Sequence, residues 1–181
     1  MNSSWVVRTA RLILAPVSWR DLQDLQAIKA DPRVFAMMLD GVRTPTRAAE
    51  ELAEDISTWA RNGYGIWSVR AMDEEKFLGI TGLMHRADHR GVALRFALWP
   101  EVQGRGLARE AASAALRFGH DQAGLARIIA VARETNFASR TILGGIGMIE
   151  HDGFIRDGHA MLVYESVRRN RVGSYTAALT G

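Results

Sequence analysis

The chain has 181 residues, 48% of them apolar, and its 23 lysines and arginines against 20 acidic residues leave a net charge of only +3. That length and apolar content suit one domain over 1–181 with a buried core, and so small a charge excess is no argument for a nucleic-acid partner. The absence of cysteine excludes disulfides, thiolate metal ligands and a thiol nucleophile, and fits a reducing, cytoplasmic setting.

The start, "MNSSWVV", lacks the basic and apolar regions of a signal peptide, and no later apolar run is long enough for a bilayer, so no membrane partner is expected. "RLILAPV" (11–17) reads as a strand. Ser18 then opens a first helix, with Asp21 as the acidic member of a capping box and Leu22, Leu25 and Ile28 on its apolar face. "DPRV" interrupts it, and Thr44-Pro45 starts a second helix on Leu52, Ile56 and Trp59 that ends near Asn62-Gly63. From Tyr64 the pattern turns to strands: "YGIWSVRA", a charged turn, "FLGITGLMH" and "GVALRFALW". A glycine turn leads into a helix on Leu107, Ala111, Ala115 and Phe118. "RIIAVARE" is a short buried strand, "NFASRTILGGIG" a fourth helix, and "MIEHDGFI" and "HAMLVYESV" two further strands. The order β-α-α-β-β-β-α-β-α-β-β predicts an α/β (α+β) mixed sheet of about seven strands flanked by about four helices on both faces. Residues 172–181 have no clear period and read as a tail.

The segment "WPEVQGRGLAREAASAAL" (99–116) carries the chemistry. The first N–H groups of a helix lack intrahelical acceptors and point outward with the positive end of the dipole. Gly104 and Gly106 keep side chains out of the approach, so a pyrophosphate can reach consecutive amides. Arg109, one turn into the helix, adds a cation. A Walker loop would end in Gly-Lys-Ser/Thr, and a dinucleotide fingerprint would need glycine at 109.

Gln103-Gly104-Arg105-Gly106-Leu107-Ala108 resembles the Gln/Arg-x-x-Gly-x-Gly/Ala acyl-CoA signature of the GNAT superfamily of N-acetyltransferases. "TARLILAPVSWRDL", "FLGITGL" and "RIIAVARETNFASRTILGGIGM" are similar to its ribosomal-protein (RimJ/RimL-like) branch. The resemblance implies a sheet that splays open beside the "VALRFAL" strand. Pantetheine of acetyl-CoA would pair with backbone near Ala97 and Leu98, the pyrophosphate would lie on the amides of Gln103 to Ala108, and Asn136 and Ser139 would match the family's Asn-x-x-Ser. It also implies direct transfer of acetyl from acetyl-CoA to an amine, on a protein N-terminus or a small molecule, with no metal; a homodimer follows from family likeness alone.

Two positions depart from the pattern. Ala93 stands where many relatives have a glutamate base, and Leu143 where others have a tyrosine acid. Ser139 is then the candidate acid and Glu134 the candidate base. The departures also keep open a catalytically silent acyl-CoA-binding module. His85 and His89 read as exposed hairpin residues rather than metal ligands. The five tryptophans and seven methionines read as core or as lining of an acceptor groove. The basic cluster Arg168, Arg169 and Arg171 reads as a solvated terminus, because no aromatic-interleaved basic stripe accompanies it.

Overall fold

The computed structural model describes residues 3–38 and 40–168. The 172–181 tail, Arg169 and Arg171 lie outside the described residues. Val7–Arg8 forms a short β1 paired antiparallel with β2 (Leu12–Pro16), Val7 opposite Leu14. At Ser18 the Asp21 carboxylate accepts from both the N–H (2.8 Å) and the hydroxyl (3.0 Å). A 3-10 turn there, Trp19–Asp21, leads into α1 (Leu22–Ala30).

Pro32 does not merely interrupt the chain; it occupies the first turn of a short α2 (Pro32–Phe35), where its missing N–H costs no hydrogen bond. The Asp31 carboxylate caps this turn by accepting the Arg33 N–H at 2.8 Å. Thr44 accepts the Arg47 N–H at 3.2 Å and starts α3 (Pro45–Asn62), which Gly63 ends in the left-handed conformation at φ 69°.

There follow β3 (Ile66–Ala71), β4 (Phe77–His85), β5 (Val92–Leu98), α4 (Leu107–Asp121), β6 (Arg127–Arg133), α5 (Phe137–Gly145), β7 (Ile149–Arg156) and β8 (His159–Val167). The α/β class agrees with the expectation, and the count among the described residues exceeds it by one strand, β1, and one helix, α2. Neither has a periodic run of its own; β1 exists because β2 offers it an edge, and α2 because Asp31 caps it.

The eight strands form one sheet in the order β1-β2-β3-β4-β5-β6-β8-β7. All neighbours are antiparallel except β5 and β6. Helices cover both faces, as a sheet that is apolar on both sides needs. Leu25, Ile28, Phe35 and Leu52 of α1 to α3 pack on Ile66, Ile80 and Ala97. On the opposite face Leu107, Ala111, Ala115 and Phe118 of α4 pack on Leu14, Trp67, Leu83 and Leu94. Trp59, at the end of α3, closes the edge of this second layer: its ring centroid lies 4.7 Å from that of Trp67, edge to face, and its Nε1–H donates to the Ile66 carbonyl at 2.8 Å. No helix among the described residues is long and apolar enough to cross a membrane.

Candidate active site

The sheet parts at its one parallel joint. β4 and β5 stay in register from Gly79 opposite Leu98 to His85 opposite Val92, whereas β5 and β6 pair only at Ala93 and Ile129. Beyond Ala93 one side of β5 faces a gap. Consecutive residues of a strand send their N–H and C=O to alternate sides, and the Trp99 N–H donates to Leu78 of β4 at 2.9 Å. Arg95 and Ala97 therefore pair toward β4, and Phe96 and Leu98 turn their backbone groups to the gap. Of the two residues expected to offer backbone there, Leu98 faces the gap and Ala97 does not.

The glycine turn stands just past the end of β5. Gly104 and Gly106 have φ of 74° and 75°, the left-handed region in which any side chain is strained. A Cβ at Gly104 would meet nothing within 4 Å, so this glycine is demanded by backbone conformation and an open approach rather than by internal packing. Gln103 shapes the turn instead of offering its amide: its N–H donates to Pro100 at 3.1 Å, and its side-chain amide donates to the Leu98 carbonyl at 3.1 Å. Arg11 braces the other side, donating to the Arg105 carbonyl at 2.9 Å and pairing with Glu110 at 2.7 Å. Among the described residues, the N–H groups from Gly104 through Ala108 find no protein acceptor. A row of bare amides at a helix start fits a pyrophosphate of the kind coenzyme A carries. Arg109 is not a further cation for that anion: its guanidinium donates to the Gly145 carbonyl at 2.7 Å and caps the C-terminus of α5.

Next to the gap lies a cleft of about 410 Å³, lined from β5 by Ala93 to Phe96, from β6 by Ala130 to Arg133, and from α5 by Ser139 and Leu143. Asn136 is the N-cap of α5, its side-chain oxygen accepting the Ser139 N–H at 3.1 Å. This turns the Ser139 side chain into the cleft lining, where its hydroxyl has no hydrogen-bond partner among the described residues. Glu134 is not brought in: it is exposed on the turn after β6 and absent from the lining, and its carbonyl is held by Arg140 at 2.9 Å. Glycines 144 and 145 stay within α5, which ends at Gly145.

The opposite wall, from α3, went unnoticed in the sequence. Glu51 there accepts from Lys29 of α1 at 2.7 Å and from Arg43 at 2.6 Å. Burial works to raise the Glu51 pKa, but hydrogen bonds from Lys29 and Arg43 outweigh it and hold the carboxyl below its usual value. Burial lowers the Lys29 ammonium in spite of its bond to Glu51. One turn on, Asp55 also lines the cleft, and burial pushes its carboxyl up to about 6 against the pull of Lys29 and Arg95. Arg95, from β5, has its guanidinium 5.3 Å from the Phe35 ring centroid and 3.9 Å from the Met84 sulfur. The i, i+4 spacing of Glu51 and Asp55, beside the buried Leu52, was the available signal. Met37, Met38, Met84 and Met161 line the same cleft. His85 accompanies them, its Nε2 2.6 Å from the Tyr64 hydroxyl. Among the described residues no group of three His, Asp or Glu is placed to hold a metal ion.

A mixed sheet split at one parallel joint, with a turn of bare amides at the mouth of the split, suits a phosphate-tailed ligand. Residues 11–149 match the family model described as the acetyltransferase (GNAT) domain, and the chain belongs to that family. It is 27% identical over 164 residues to the FsC-acetyl coenzyme A-N(2)-transacetylase of Aspergillus fumigatus, a match covering 82% of this chain and 66% of that relative. A GnaT-family acetyltransferase from Bordetella pertussis shares the fold at a TM-score of 0.78 and 24% identity, over 88% of this chain and 98% of that one. RimL, the ribosomal L7/L12 alpha-N-protein acetyltransferase solved in complex with coenzyme A, does so at 0.76 and 14%, over 90% and 97%.

Proposed function

We propose that the protein transfers acetyl from acetyl-CoA directly to a primary amine, with both substrates bound together. The observation that carries this reading is the row of unpartnered amides from Gly104 to Ala108 at the mouth of the gap between β5 and β6. Those amides would hold the pyrophosphate, and the gap-facing backbone of Leu98 and Phe96 the pantetheine arm. Acetyl-CoA, when bound, supplies the thioester whose acetyl group is transferred. A gap-facing N–H of β5 would stabilise negative charge on the carbonyl oxygen. Ser139 would hand its hydroxyl proton to the departing sulfur and recover one from the amine nitrogen. Most of the acceleration comes from holding the two substrates together, which suits a cleft lined, among the described residues, by no cysteine or lysine. Similarity to the ribosomal-protein branch supports an amine acceptor of the N-terminal or small-molecule kind.

A second reading is a module that binds acyl-CoA without turnover, favoured by Ala93 and Leu143 at two positions where relatives have titratable groups. Purified protein given acetyl-CoA and a panel of amines distinguishes the two. Thiol release with at least one amine supports transfer; tight coenzyme A binding with no release from any amine supports the module.

A further inference from the structure

Most charges of the cleft are closed on one another. Glu51 is taken by Lys29 and Arg43, and at the rim Asp88 is taken by Arg86 and Asp40 by Arg156. Asp55 and Arg95 are not, nor, among the described residues, is Arg133 of β6, whose guanidinium meets only the Met37 sulfur at 4.0 Å. Among the described residues Asp55 has no hydrogen bond or ion pair, and the guanidinium of Arg95 meets only the Met84 thioether and the face of Phe35. The two feel one another's charge without coming within 4.0 Å. Both line the same cleft, and Arg95 shares its face of β5 with Ala93 and Ala97, the face that α1 to α3 cover. Two opposite, half-buried charges that face one space without a protein partner are open to a ligand that completes both.

We propose, resting on the acetyltransfer reading above, that Asp55 receives the acceptor's ammonium group and that Arg95 receives an oxyanionic substituent of the same molecule. The acceptor is then a small amine carrying a carboxylate or a phosphate, an α-amino acid being the simplest instance. A guanidinium fork suits either oxyanion, and it repels the second cation of a polyamine. The Asp55 carboxylate takes one proton from the ammonium and frees the nitrogen lone pair. The N–C bond forms as the C–S bond breaks, a second nitrogen proton ends on the sulfur as the thiol, and Asp55 returns its proton to water. Burial raises the basicity of Asp55 toward that task; the charges facing it are Lys29 from α1, Glu51 and Glu54 from α3, and Arg95 from β5.

The test compares matched amines with acetyl-CoA and the whole chain: leucine, leucinamide and isoamylamine; phosphoethanolamine and ethanolamine; and a peptide with a free N-terminus and an amidated C-terminus. The expected result is a kcat/KM for the anionic member at least about ten-fold above its neutral partners, as loss of a buried charge-assisted contact implies. The two sets show whether carboxylate or phosphate is the preferred oxyanion. Arg95→Met brings that ratio close to one through KM, and Arg95→Lys retains part of it. Asp55→Asn lowers kcat for every acceptor and removes the acid limb near pH 6 from the profile. Equal turnover of neutral and anionic amines, or a preference for the amidated peptide, overturns this inference alone. Thiol release from no amine overturns the acetyltransfer reading and this inference with it.

Discussion

The Lys29 ammonium lies 2.7 Å from the Glu51 carboxylate, with only 2% and 12% of the two side chains exposed, and this pair ties α1 to α3 behind the α3 wall of the cleft. The two ends are not equivalent. Glu51 also binds Arg43, so without Lys29 it keeps a cation; without Glu51, two buried cations lose their anion together. Glu51→Gln is therefore expected to cost about 3–5 kcal/mol, and Lys29→Met, which refills the space with an apolar chain, less than half of that. Urea unfolding of the two variants checks the order, and the reverse order would refute it.

At Gly104 the backbone rather than packing restricts the residue. Gly104→Val is expected to lose about 1–2 kcal/mol of stability from the left-handed conformation, since a Cβ there meets nothing within 4 Å. Its effect on coenzyme A affinity should be far larger, because the side chain would stand over the bare amides. Calorimetric titration beside a thermal melt separates the two, and an unchanged affinity would disprove the cradle.

Ser139→Ala removes a hydroxyl that has no hydrogen-bond partner among the described residues while leaving the backbone N–H that Asn136 caps. The fold and the dissociation constant of coenzyme A should hold, and kcat should fall about a hundred-fold if the hydroxyl is the acid. An equal fall in affinity and turnover would make it a binding contact only.

Asp55 is expected to oppose folding at neutral pH. Folding raises its pKa from 3.8 to about 6 through burial, so the native state holds the proton more tightly than the unfolded chain. Native stability due to this group is thus greatest while it is protonated and falls as pH climbs between those two values. Asp55→Asn should melt higher than the parent at pH 8, and the difference should vanish at pH 4, with Lys29, Arg95, Glu51 and Glu54 unchanged around it. An unaltered difference across that range would contradict the assignment.

What could be read from the chain alone follows a physical division. Local signals were legible: Thr44-Pro45 and Gly63 mark the ends of α3, and Gly104 with Gly106 marks the tight turn before α4, because caps and positive-φ turns are decided by neighbours in sequence. Long-range roles were not. Arg109 sits one turn into α4 like a phosphate ligand, yet its partner Gly145 is 36 residues away. Glu134 lies two residues before Asn136 in sequence and is still exposed, on the turn after β6. Asp55 reads as one more acid in "EELAED", and only the lay of α3 over β5 brings it near Arg95.

Within the sheet only the rung between Ala93 and Ile129 ties β5 to β6, so its two flaps share that pivot and the core that α4 packs across both. Whatever slides into the slot acts as a missing slat, so resistance to unfolding should climb with the logarithm of donor concentration once that exceeds its dissociation constant. The strip of β6, β8 and β7 is expected to gain most from a filled slot, so deuterium uptake should drop there most when coenzyme A is added. Uniform uptake across both flaps, with and without it, would mean the pivot is stiff.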